Sequence, residues 1–164
     1  VSNVALSIII RPLESGGEIA YAARVHASLR YLFDPHLNAS TQPTSIEVDS
    51  ELKMMERLWG KPEQLLIGAF IVGESHPPEP IGFHWATYNA DATPRVAKII
   101  SLWVSPEKRN QGIATRLKLA GEVWAQSQNC SAIETSVHQS NRAMLEINHR
   151  QGFEPYRLIL RKKL

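Results

Sequence analysis

The sequence predicts an α+β, or mixed α/β, fold on one sheet, and three observations predict it. Short runs rich in β-branched residues alternate with stretches whose apolar residues recur at three- and four-residue steps. Three strand-like runs follow one another through links too short or too proline-rich for a helix, which predicts an antiparallel meander. The last of these runs leads into a helical stretch and then another strand-like run, the pattern of a parallel, right-handed crossover. The resulting order is βααβββαβαβ.

Each element has its own signal. Ala5 to Arg11 is β-branched and stops at Pro12, so it reads as a strand. Glu18 to Phe33 is helical, with Ile19, Ala22, Ala23, His26, Leu29 and Phe33 on one stripe. Asp34 to Thr44 is a loop by composition. Ser45 is positioned to cap a second helix that runs to about Trp59, where Gly60 and Pro62 stop it. On that helix Met54 is read as a core position and Met55 as an exposed one. Leu65 to Val72 is a strand buried on both faces, followed by Ile81 to Tyr88 and Val96 to Val104. Gln111 to Gln126 is a helix whose inner stripe is Ile113, Leu117, Ala120 and Trp124. Ser131 to Val137 is a strand. Asn141 caps a short helix to about Arg150, Gly152 ends it, and Phe153 to Arg161 is a final strand.

The 164 residues favour one domain, 1–164, with a real core. A net charge of +2, from 18 basic and 16 acidic residues, argues against general nucleic-acid binding and leaves room for a local basic site. The lone Cys130 forms no internal disulfide and reads as a reduced, buried side chain. The longest apolar run, Leu65 to Val72, is far short of a membrane span, and no signal peptide is visible, so a cytoplasmic protein is expected. No metal is expected.

The functional question is raised by Val104 to Leu117, VSPEKRNQGIATRL. A strand feeds a basic, glycine-containing loop and then a helix. Helix starts leave backbone N–H groups without partners and carry partial positive charge, so such a turn suits phosphate oxygens. Gly112 lets a ligand approach the backbone, Ala114 is the next smallest choice, and Lys108, Arg109 and Arg116 add cations. The loop Arg109-Asn110-Gln111-Gly112-Ile113-Ala114 fits Gln/Arg-x-x-Gly-x-Gly/Ala and matches neither of two other phosphate loops, GxxxxGKS/T and GxGxxG.

With its neighbours this stretch resembles the GCN5-related N-acetyltransferase (GNAT) family. LWVSPEKRNQGIA is similar to the family's central strand and coenzyme A loop, NRAMLEINHRQGF to its last helix, and IIIRP to its first strand. The resemblance implies a GNAT-like twisted mixed sheet, splayed between the central strand and the next parallel strand after a β-bulge, with acetyl-CoA as co-substrate. It implies that the backbone of Leu102, Trp103 and Val104 pairs with the pantetheine arm. Backbone N–H groups from Gln111 through Gly112, Ile113 and Ala114 to Thr115 would hold the pyrophosphate, beside Arg109 and Asn110. Asn141 would reach the cofactor from the second wall.

The implied reaction is direct attack of an amine on the thioester in a ternary complex, with the Val104 N–H as oxyanion donor. Two departures from the family pattern stand out. Asn148 occupies the position of the usual general-acid tyrosine, and Ile100 and Ser101 stand where relatives often carry a glutamate base. Asn148 can hydrogen-bond the sulfur, and Tyr156 or His149 is an alternative acid off the motif. His84 is the candidate base by its ordinary pKa, weighed against a packed sheet histidine. Glu134 acting through water is a further candidate.

The acceptor side draws on Tyr21, Tyr31, Asp34, His36, Glu47, Trp85 and Tyr88, each also explicable as packing or turn structure. The expected acceptor is a small-molecule or peptide amine. A homodimer through sheet edges or the last strand is compatible with the resemblance. The alternatives are a non-catalytic acyl-CoA-binding or sensor domain and a different nucleotide-binding enzyme.

Overall fold

The structure, a computed structural model, describes residues 7–33, 41–73, 79–160 and 162. The elements are β1 (Ile8–Pro12), α1 (Gly16–Phe33), α2 (Ser45–Leu58), β2 (Gln64–Ile71), β3 (Gly82–Tyr88), β4 (Val96–Val104), a short 3₁₀ turn (Pro106–Lys108), α3 (Ile113–Ser127), β5 (Ala132–Thr135) and α4 (Arg142–Arg150). The strands form one five-stranded sheet in the order β1-β2-β3-β4-β5. The first three pairings are antiparallel and β4 with β5 is parallel. Among the described residues no helix is long and apolar enough to cross a membrane.

Side-chain alternation along the strands divides the core into two layers. Leu66 and Phe70 of β2, with Phe83 and Trp85 of β3, face α1 and α2 and pack on Leu13, Ile19, Ala22, Ala23 and Met55. Ile67 and Ala69, with Val104 of β4, face the opposite way and pack on Ile113 and Leu117 of α3. At α1 the Arg11 guanidinium grips Glu18 at 2.8 Å. At α2 a capping box joins Thr44 and Glu47, and Tyr31 donates to the same Glu47 carboxylate at 2.9 Å.

Several expectations need correction. The cap of α2 is Thr44, one residue before Ser45, because Glu47 sits three residues beyond Thr44 and completes the box. Met55 is the fully buried methionine, and Met54 only packs against the core margin. The final strand is absent among the described residues. Residues 153–160 follow α4 without pairing to the sheet, and Tyr156, Leu158, Ile159 and Leu160 are exposed. Their β-branched and aromatic composition is a preference, and it makes a strand only where an edge accepts it. The expectations for residues 5–6, Asp34 and His36 lie outside the described residues.

The seat of α3 decides the place of His84. Between Phe83 and Trp85, which face α1 and α2, alternation turns His84 toward α3, where it is wholly buried. Its Nδ1 donates to the Leu117 carbonyl at 3.0 Å. Gly121 makes room for the ring: a β-carbon there would overlap His84 Cε1. Burial outweighs that hydrogen bond and pushes the imidazole down to about 4. His84 is therefore a packed sheet histidine, and this position does not support the base role expected for it.

Two outcomes follow. Gly121→Ala forces the ring or the helix to shift and should cost about 1–3 kcal/mol, read as a lower urea midpoint. An unfolded chain binds a proton at His84 near pH 6.5 that the folded chain refuses until about 4. Stability should therefore fall as pH drops through that window, by about 3 kcal/mol in all, and the slope should lose about one proton in His84→Gln.

Candidate functional site

The site begins where the sheet comes apart. β4 is nine residues long, yet β5 pairs only with Val96 to Ile99. The pairing of β3 with β4 slips at the same place: Trp85 faces Ser101 and Ala86 faces Ile99, which leaves Ile100 as a bulge. Beyond it, among the described residues, no strand pairs with the β5 side of β4. A cleft of about 320 Å³ opens there, walled by Ile99 to Leu102 on one side and Thr135 to His138 with Asn141 on the other.

Backbone direction in the cleft follows from one bond. The Ser105 N–H donates to Ile81 in the strand next door at 2.9 Å. Alternate residues point to opposite edges, so the Leu102 and Val104 N–H groups turn toward the gap and that of Trp103 turns toward β3. The Trp103 ring packs edge-on to Tyr21, with centroids 6.1 Å apart. The Val104 carbonyl already accepts from Arg109 Nε at 3.1 Å, which leaves its N–H as the open group.

The loop at the end of β4 gathers donors. Asn110 and Gly112 hold positive φ angles of 61° and 74°. This winding turns successive N–H groups to one side, the concave arrangement that holds anions. Among the described residues, none of the N–H groups from Asn110 to Thr115 has a protein acceptor, and the first bond of α3 is from Arg116 to Gly112. A β-carbon on Gly112 would meet no atom within 4 Å, so the space before it is open. Arg116 is anchored to the Ile8 carbonyl at 2.8 Å. Asn141 caps α4 by accepting from the Met144 N–H at 3.3 Å and lines the second wall.

Three buried polar atoms without hydrogen-bond partners also converge on the cleft: His26 Nδ1, Glu51 Oε2 and Ser101 Oγ. Buried polar groups in folded proteins are nearly always paired, so these three atoms are open hydrogen-bonding positions of the cleft. His26 Nε2 lies 3.7 Å from Glu51, and the ring stands edge-on to Trp85 with centroids 5.1 Å apart. Burial lowers the His26 pKa, and Glu51 opposes it. The Glu51 pairing was invisible in the sequence, because it needs α1 and α2 laid side by side. The stripe position of His26 was its only signal.

The remaining expected residues are dispersed. Tyr31 and Glu47 bind one another, Trp85 Nε1 donates to Gln64, and the Tyr88 hydroxyl donates to Gln128. Glu134 is on β5, paired with Lys98 in register and half-buried. Tyr156 is exposed, and His149 is on the exposed side of α4. Asn148 is buried and accepts from Lys118 Nζ at 2.6 Å. A second recess of about 350 Å³, lined in part by Cys130, by Ala132 and Ile133 of β5 and by Gln151 to Glu154, shares no lining residue with the cleft or the loop after β4.

Comparison with known proteins agrees with this geometry. Solved structures with the same fold include the aminoglycoside N-acetyltransferase AAC(6')-Iy in complex with CoA, with a TM-score of 0.69, 18% identity and 99% of each chain covered. The aminoglycoside antibiotic 6'-N-acetyltransferase AAC(6')-Ih from Acinetobacter baumannii has a TM-score of 0.65 and 23% identity, over 96% of this chain and 99% of that one. A transcriptional regulator from Bacillus halodurans has a TM-score of 0.69 and 17% identity, over 96% of this chain and 100% of that one. A search of curated protein sequences gives no match. The model of the Acetyltransferase (GNAT) family matches residues 33–153, and the chain belongs to that family.

Proposed function

We propose that this protein transfers an acetyl group from acetyl-CoA to a primary amine of a small molecule or peptide, by direct attack in a ternary complex. One observation carries the reading: a strand with open N–H groups at Leu102 and Val104 ends in a loop whose N–H groups from Asn110 to Thr115 have no acceptor among the described residues. The first set fits an extended amide-bearing arm, and the second fits a pyrophosphate. The residues present thus suit coenzyme A, which the similar AAC(6')-Iy structure contains.

The chain's own groups then divide the work. The Val104 N–H faces the gap and is the donor for the oxyanion that develops on the thioester carbonyl. On the α1 and α2 side of the sheet, Glu51 attracts a cationic amine and His26, kept neutral by its burial, removes the proton that blocks attack. Ser101 Oγ is a further hydrogen-bond partner for the acceptor. Holding amine and thioester together supplies the remaining advantage.

A non-catalytic acyl-CoA-binding or sensor domain is the second reading, favoured by Asn148 in the position of the family's tyrosine. Thiol release measured against a panel of amines separates the two. Turnover on any amine supports transfer, and tight binding of CoA with no turnover supports the sensor.

Calorimetry should show acetyl-CoA binding to the native protein and at least a hundredfold loss in Gly112→Glu, whose carboxylate would stand where phosphate is held. With a responsive amine, His26→Gln should lower kcat/KM by about 100-fold, on the scale of a lost general base. It should also abolish the acid limb of the pH profile, which lies below the ordinary imidazole range because His26 must be neutral to accept a proton. Glu51→Gln should raise KM for cationic amines more than it lowers kcat.

A further inference from the structure

Lys118 is the one charged side chain among the buried residues of α3. It is only 1% exposed, and it lines the cleft beside Ser101 and Leu102. Its Nζ donates to Asn148 Oδ1 at 2.6 Å and stands 3.8 Å from the centroid of the Phe153 ring. Among the described residues no carboxylate comes within ion-pair distance of it. An ammonium held this way, by an amide oxygen and an aromatic face, is fixed in place without being neutralised.

We propose that Lys118 is the proton donor to the sulfur that leaves the thioester, with Asn148 as the residue that positions it. The assignment rests on the acetyl-transfer reading above. It divides between two side chains what one acidic hydroxyl would do. An amide has no acidic proton to give, but its oxygen aims one that does.

As the carbonyl re-forms, the C–S bond breaks and its electron pair goes to sulfur. The Lys118 ammonium gives that sulfur one proton, leaving a thiol and a neutral amine. Of the two protons shed by the acceptor ammonium, one restores Lys118 and the other goes to solvent.

The electrostatic surroundings suit the role. Burial lowers the Lys118 pKa to about 8, against an opposing pull from Glu122 one turn along α3. A thiol titrates near 8.5, so the transfer is close to balanced in either direction. From β3 the group nearby is His84, neutral near pH 7 because its own pKa is about 4. From α4 it is the uncharged Asn148, and His26, Glu51 and His138 line the same cleft.

The test reads the thiol of bound coenzyme A directly, by thiolate absorbance against pH, with the desulfo-CoA complex as blank. In the native protein the bound thiol should titrate about one unit below free CoA, because a cation lies beside it. In Lys118→Met it should titrate at or above the free value. Lys118→Arg keeps the charge but gives up no proton, so it should keep the lowered thiol pKa while turnover falls at least tenfold. Adding Asn148→Tyr to Lys118→Met should recover turnover. Equal thiol pKa values in native and Lys118→Met complexes overturn the assignment alone, as does native turnover in Lys118→Arg. Rapid acetylation of Lys118 itself, seen by mass spectrometry on mixing with acetyl-CoA, also overturns it by making the residue a nucleophile. Failure of the native protein to take up CoA overturns the acetyl-transfer reading along with it.

Discussion

A β-strand that loses its neighbour inside a protein must satisfy its backbone some other way, and this constraint organises the molecule. β4 keeps β3 along its length but keeps β5 only as far as Ile99. The bulge at Ile100 lets the two edges of β4 behave differently, one still in a sheet and the other facing a cleft. The open N–H groups at Leu102 and Val104 are spaced as in a strand edge, so they suit a ligand with the hydrogen-bonding habits of a peptide. The cofactor reading follows from that one interrupted ladder.

The cleft also passes between the two layers of the core, and its polar groups are sorted by layer. His26, Glu51 and Ser101 belong to the face covered by α1 and α2, whereas Leu102 and Lys118 belong to the face covered by α3. Strand alternation does this sorting, since it sends neighbouring residues of β4 to opposite sides. In an acyl transfer the entering amine and the departing sulfur occupy different sides of the same carbon. A sheet that opens along one strand provides two such sides within a few ångströms.

The sequence revealed the parts whose causes are local. The turn after Val104, the glycine at 112, the cap at Asn141 and the meander of three strands all depend on neighbours a few residues away. What escaped depends on distant partners. Lys118 and Asn148 are thirty positions apart and meet only once α3 and α4 are packed. Lys118 also lies off the apolar stripe of its helix, where a solvated lysine is the ordinary expectation. His84 looked available because periodicity places it on a strand without saying which layer it faces. The last segment looked like a strand because its composition is strand-like, and composition is silent about whether an edge is free to receive it.

The absent side chain at Gly121 has a mechanical consequence. α3 is a stiff rod of fifteen residues, and one end of it carries the donors at Gly112 to Thr115. Its middle rests on an imidazole ring at a point where no spare atom fits. Such a contact acts as a fulcrum: a small lift at the pivot becomes a larger swing at the tip. Conformational integrity and grip on a ligand are thus governed by the same hinge point, and a lesion in one would show itself in the other.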